Sequence, residues 1–310
     1  MKKFFLGLLV LVLSIGLIAC GNGEDLVEDE AALEDEVQST VLTVDRAGLE
    51  FLEVESTDSI VSLTPVVTEV LLDMGYGDKL VAVDGPQSQA REGVPQDIVY
   101  LDMMAPDVEQ LIALTPDVIF ATTMSFGGGD DPLQAVKDAG ISVVYIPASQ
   151  SIEEIYKDIL FIGQVLKDEE ASQKILDDMK AQIEEIRERN ANAESKTAYF
   201  EIAAAPEMYS FGSGTFLNEM MEILGLENIL ADNESWMSVS EEIILDKNPD
   251  FIFTNVTYIE DSVGEILSRH GWDSVTAISN EDVYYIDENA SSISNHNIVK
   301  ALLEMEEAVR

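Results

Sequence analysis

The chain has 310 residues, enough for two ordinary domains or one bilobed body, and its 46% apolar content can fill their cores. Acidic residues number 60 against 17 basic ones, which sets the net charge at −43. Such a surface repels a phosphate backbone and argues against nucleic-acid binding; it suits salty or alkaline surroundings whose counterions would screen its self-repulsion.

The first predicted element is a leader. Lys2 and Lys3 precede an apolar run from Phe4 to Ala19, which is short for a membrane span and has the layout of a secretory signal. Cys20, the single cysteine, follows small Ala19. That pattern resembles a bacterial lipobox, whose cysteine becomes the lipidated first residue of the mature protein, more than an uncleaved signal anchor. With one cysteine no intrachain disulfide can form. Glu24 to Glu36 hold eight acids and no base, so residues 20–39 are predicted to be a solvated, self-repelling tether.

The folded body is expected from residue 40. "TVLTVDRAGLEFLEV" alternates on either side of Asp45–Gly48 and predicts a hairpin. Short apolar runs follow at Ile60–Leu63, Leu80–Val83, Val99–Leu101, Val118–Ala121 and Ser142–Ile146, with helical stretches such as Val67–Met74 and Leu133–Ala139 between them. Strands alternating with helices predict a parallel sheet covered on both faces. From Asp168 to Asn190 the pattern changes. Ala171, Ile175, Leu176, Met179, Ile183 and Ile186 fall at spacings of three and four among charges, which predicts one long amphipathic helix. The α/β alternation then resumes with strands at Lys196–Ile202, Asp250–Asn255 and Val283–Ile286. The expected organisation is a signal peptide over 1–19, the tether over 20–39, an N-terminal lobe over 40–166, a connecting helix over 167–192 and a C-terminal lobe over 193–310. The expected fold class is α/β, two Rossmann-like lobes with mainly parallel sheets joined by a rigid helix.

Two signatures occur twice in the same order. "TEVLLDMGYGDKL" from Thr68 matches "NEMMEILGLENIL" from Asn218, each with a Glu (Glu69, Glu219) six residues before a Gly (Gly75, Gly225). "VEQLIALTPDVIF" from Val108 matches "EEIILDKNPDFIF" from Glu241, with Glu109 and Glu242 each seven residues before a Pro-Asp. Asp107 and Ser240 are the expected helix N-caps. A carboxylate one turn in favours the helix dipole by about 0.3–1 kcal/mol, which accounts for either Glu but not for the pair. Matched acids on two lobes suit docking onto a two-fold partner with basic pockets.

These motifs resemble a family. "SIVSLTPVVTEVLLDMGYGDKLVAV", "VEQLIALTPDVIF", "YSFGSGTFLNEMMEILGLENI", "SVSEEIILDKNPDFIF" and "NIVKALLEM" resemble, in order, signatures of the helical-backbone substrate-binding proteins of bacterial ABC importers, the branch that handles iron–siderophore complexes, haem and cobalamin. The resemblance implies a lipid-anchored, extracytoplasmic, non-enzymatic monomer that delivers ligand to a permease dimer driven by a cytoplasmic ATPase. It also implies that Glu109 and Glu242 bridge to arginines of the two permease subunits.

In such a fold the ligand lies in a cleft between the lobes, over the carboxyl ends of the strands. That nominates Thr64, Pro65, Gln87, Arg91, Met104, Met124 and Phe126 in the first lobe and Tyr209, Phe211, Trp236, Asn255, Tyr258 and His296 in the second, although Met and aromatic residues are core residues more often than contacts. Two histidines are few for direct binding of a transition metal, and Arg91 alone is little for an anionic catecholate siderophore. Hydroxamate-type ferric complexes, cobalamin and haem remain as ligands, with no resident cofactor and no metal site of the protein's own. No phosphate-loop or nucleophile-elbow pattern supports an enzyme. The alternatives are a surface adhesin or structural lipoprotein on the same fold, or a protein that binds a transition metal directly.

Overall fold

The computed structural model describes residues 42–310, apart from Gly128 and the side chain of Gln89, so the leader, Cys20 and the acidic tether lie outside the described residues. The first half runs β1 (Ile60–Ser62), α1 (Pro65–Asp73), β2 (Leu80–Asp84), α2 (Gly85–Gln89), β3 (Val99–Leu101), α3 (Val108–Leu114), β4 (Val118–Ala121), α4 (Gln134–Asp138), β5 (Ser142–Tyr145) and α5 (Ile152–Leu166). The long helix α6 (Glu169–Asn190) follows. The second half runs β6 (Lys196–Glu201), β7 (Tyr209–Phe211), α7 (Phe216–Ile223), β8 (Leu226–Asn228), β9 (Trp236–Ser238), α8 (Glu241–Lys247), β10 (Phe251–Thr254), α9 (Ser262–Leu267), α10 (Thr276–Asn280), β11 (Val283–Tyr285), α11 (Glu288–Ser292) and α12 (Ile298–Val309).

Each half builds a parallel sheet, as the alternation predicts. The first has the order β3-β2-β1-β4-β5 and the second β11-β10-β6-β8. Read from the other edge, the second sheet repeats the first: β8, β6, β10 and β11 correspond to β2, β1, β4 and β5. A separate antiparallel pair, β7 with β9, has no counterpart in the first half. The expected hairpin shrinks to a single bridge between Val44 and Glu50. There the Asp45 carboxylate accepts the amides of Ala47 and Leu49, each at 2.9 Å, and reaches the Tyr145 amide at the end of β5. A side chain thus takes amides that a strand ladder would have paired.

One face of each sheet belongs to a shared core. Ile60, Val118, Phe120 and Val144 of the first sheet and Ala198, Phe200, Phe251 and Phe253 of the second join a single buried cluster through α5, α6 and α12. The opposite faces have their own cores, with Val61, Ile119 and Val143 in the first half and Tyr199, Ile252 and Val283 in the second. The strand period of two sends alternate residues to the two faces. In α6, Leu176, Met179, Ile183 and Ile186 are buried as expected, whereas Ala171 and Ile175 are half-exposed and Ser172 is buried instead. Ser172 is admitted because Gly163 of α5 faces it, where a Cβ would overlap Ser172 Oγ and Cβ. Gly163→Ala is expected to destabilise by about 1–3 kcal/mol through overpacking, read as a lower melting temperature; an unchanged value would show that α5 and α6 can move apart.

Candidate functional site

The repeated acids sit on matched helices. Both α3 and α8 have seven residues and end on a left-handed residue, Thr115 at φ 45° and Asn248 at φ 47°, before a proline. Asp107 caps α3, accepting the Gln110 amide at 3.0 Å. Ser240 holds the corresponding position in α8, but its side chain makes no capping hydrogen bond, contrary to expectation. Two acids, Glu241 and Glu242, favour that first turn instead. Glu109 and Glu242 are each the second residue of their helix, and both are exposed.

The Pro-Asp after each helix has a role that spacing alone did not reveal. Asp117 accepts from the Ser59 amide at 2.9 Å and from the hydroxyls of Ser56 and Ser59. Asp250 accepts from the Thr197 amide at 2.8 Å and from the Thr197 hydroxyl. In both halves the aspartate therefore ties the start of one strand to its parallel neighbour, β4 to β1 and β10 to β6. The proline ends the helix, and the carboxylate closes the sheet edge below it.

The residues nominated for loops at the carboxyl ends of the strands divide into two groups. Contrary to expectation, Tyr209 and Phe211 lie within β7 and Trp236 opens β9, so these three belong to the antiparallel pair and not to loops after the parallel strands. Gln87, Met104, Met124, Tyr209 and Tyr258 are exposed, with Met104 at 48%, Met124 at 53% and Tyr258 at 69%. The Tyr258 hydroxyl accepts the Ala204 amide at 2.7 Å, which holds the ring out from the end of β10. Pro65 is the first residue of α1 and is half-buried. Phe126 is also half-buried, its ring 5.0 Å from that of Tyr145.

The second group is committed within the protein. Thr64 is buried, and its carbonyl accepts from the Ser62 and Thr68 hydroxyls. Phe211 is fully buried against Phe200 and Trp236. Asn255 is buried and donates to the Ser291 and Ser292 hydroxyls, binding the end of β10 to α11. Trp236 Nε1 donates to Gln150 Oε1 at 2.9 Å, joining the two halves. His296 Nε2 lies 2.6 Å from Asp73 at the end of α1, and this pair lines a hollow of about 700 Å³ shared with α6 and α12. A nearby histidine holds the Asp73 carboxyl below the usual range. Tyr285 was missed by sequence reasoning; it is 46% exposed at the end of β11 and lines a hollow of about 310 Å³ with Val256 and Glu260. Its place at the carboxyl end of a strand was the available signal.

The arginines around these ends are all neutralised. Arg46 pairs with Asp158 at 2.6 Å, and Arg91 pairs with Glu69 and approaches Asn289 Oδ1 at 3.5 Å. Arg269 grips Glu201 at 2.9 and 3.0 Å, pairs with Glu265 and lies over the Trp272 ring. Among the described residues, Asp84 at the end of β2 has no such partner. Burial pushes its carboxyl up to about 6, against hydrogen bonds from Ser88 and Thr68. Among the described residues no three His, Cys, Asp or Glu side chains are grouped to hold a metal ion. None of the described helices is long and apolar enough to cross a membrane.

Known proteins share this arrangement. A family profile described as "Periplasmic binding protein" matches residues 60–290. An ABC transporter substrate-binding lipoprotein of Bacillus subtilis (strain 168), YvrC, described as uncharacterized, is 29% identical over 304 residues, covering 97% of this chain and 95% of that one. A vitamin B12-binding protein of Yersinia pestis (strain Pestoides F) is 28% identical over 211 residues, covering 66% of this chain and 72% of that one. Among solved structures, a possible iron-binding (periplasmic solute-binding) protein of Staphylococcus epidermidis superposes with a TM-score of 0.72 at 28% identity, over 81% of this chain and 98% of that one. The haem-binding protein HutB of Vibrio cholerae shares the fold with a TM-score of 0.72 at 20% identity, over 82% of this chain and 99% of that one. The chain belongs to the periplasmic binding protein family and is an extracytoplasmic solute-binding protein of an ABC importer, not an enzyme.

Proposed function

We propose that this protein captures an uncharged or cationic metal chelate, with cobalamin ahead of a ferric hydroxamate, and hands it to the permease through Glu109 and Glu242. One observation carries the choice of ligand. Arg46, Arg91 and Arg269 near the strand ends are each already paired with a carboxylate, so none of the three is an uncompensated cation for haem propionates or catecholates. The exposed Met104, Met124, Tyr209 and Tyr258 offer soft and aromatic surface suited to a large corrinoid face. A vitamin B12-binding relative supports the same choice. Lipidation at Cys20 would hold the protein at the outer side of the membrane, with the acidic tether letting it reach ligand and permease.

Equilibrium binding followed by absorption tests the reading against cyanocobalamin, a ferric hydroxamate, haem and a ferric catecholate. The expected result is 1:1 binding of cobalamin or the hydroxamate and none of the two anionic chelates. Tight haem binding without cobalamin binding would overturn the charge argument. Silence across the whole panel would favour the adhesin alternative.

A further inference from the structure

Docking uses neither of the other repeated acids, Glu69 and Glu219, and in ligand capture Glu69 serves only to neutralise Arg91. Both leave their own half of the molecule. Glu219 of α7 accepts the amide of Ile152, the first residue of α5, at 2.8 Å. Glu69 of α1 accepts from Asn297 Nδ2, at the N-cap of α12, at 3.4 Å, while its other oxygen is paired with Arg91. α1 and α7 are the first helices of the two halves, and α5 and α12 close their strand-helix alternation. The first helix of each half thus sets one carboxylate on the N-terminal end of the other half's last helix. Glu219 meets an unpaired backbone amide there, whereas Glu69 meets the side chain of the N-cap residue, and the helix dipole favours an acid at both places.

We propose that Glu69 and Glu219 are positioning residues, two crossed latches that hold the lobes at one separation. The shared apolar core joins the lobes through α6, but apolar burial is non-directional and tolerates sliding. Hydrogen bonds have a narrow range of length and angle, so the latches add the orientation that burial lacks. They also stand beside further polar crossings, such as Arg91 to Asn289, Trp236 to Gln150 and His296 to Asp73. Glu219 is kept there although burial, and the charges of Glu222, Glu154 and Glu153, push its carboxyl up. Because α3 and α8 ride on the two lobes, the latches set the spacing of Glu109 and Glu242 as well as the width of the cleft. Only the affinity part of the test rests on the proposed ligand.

Gln110 of α3 and Asp246 of α8 are exposed and can carry spin labels. The full chain with Cys20→Ser, Gln110→Cys and Asp246→Cys is expected to give one narrow distance. Glu69→Ala with Glu219→Ala should lose that narrow peak to a broad distribution, each single variant partly so, and Glu219→Gln, which keeps an acceptor oxygen, least. Cyanocobalamin affinity should fall roughly two- to tenfold per latch removed, the worth of one hydrogen bond. An unchanged distance distribution in the double variant, or in both single variants where the double does not fold, would overturn the proposal, even with a lowered melting temperature. If the unmodified protein binds neither cyanocobalamin nor a ferric hydroxamate, the ligand reading fails while the distances still decide the latches.

Discussion

Replacing Glu109 and Glu242 together by alanine is expected to abolish uptake while leaving ligand capture intact. Both side chains are exposed, and neither makes a hydrogen bond or ion pair within the described residues. Their loss costs each helix about 0.3–1 kcal/mol of dipole interaction, too little to unfold the protein. At an interface the balance differs. Truncating one partner of a desolvated charge pair costs about 2–5 kcal/mol, because the other charge is left buried and alone. Losing two such pairs multiplies the effect, and each single variant should fall between. Uptake by cells carrying the variants, set beside equilibrium binding to the purified proteins, provides the measurement. Normal uptake by the double variant would remove both acids from any docking role.

Arg269→Ala should be the most destabilising single change in the second lobe. The Arg269 side chain is 6% exposed and that of Glu201 only 1%. Without the guanidinium, the Glu201 carboxylate stays buried with no cation, at a cost of about 3–5 kcal/mol. In a body of this size that lowers the melting temperature by about 6–20 °C. The pH dependence gives a second check. Burial already pushes the Glu201 carboxyl up, and Arg269 opposes that push. Removing Arg269 raises it further. A raised carboxyl contributes its stability at low pH and loses it as pH climbs through the folded value. The variant's deficit should therefore be larger at about pH 8 than at about pH 5. A deficit equal at both would mean that Glu201 keeps its charge compensated by another route.

Much of the scaffold could be read along the chain. The eight predicted strands are present, most within a residue of their expected ends, because burial on both faces of a parallel sheet leaves short apolar runs. The long helix spans Glu169–Asn190, two residues inside the expected bounds at either end, with Asp168 as its cap. The repeat was legible for the same local reason. Gly75 and Gly225 both adopt positive φ after a helix, a conformation that selects glycine at each copy. Patterns of this kind depend on near neighbours, so the chain order preserves them.

What the acids and loops do was decided by partners far away in the chain. Glu69 meets Asn297 across 228 positions, and Arg91 meets Asn289 across 198. Nothing local distinguishes an arginine free for ligand from one already paired, or Phe211 in the core from Tyr258 in the open. Ser240 looked like a cap and makes no capping bond, while Asp117 and Asp250 proved to pin strands together. Amino-acid order determined which segments become strands and helices, since that choice turns on periodic burial and backbone preference. The tertiary structure alone decided which charges are spent and which remain available, because electrostatic pairing acts through space and depends on distances that only the folded chain sets.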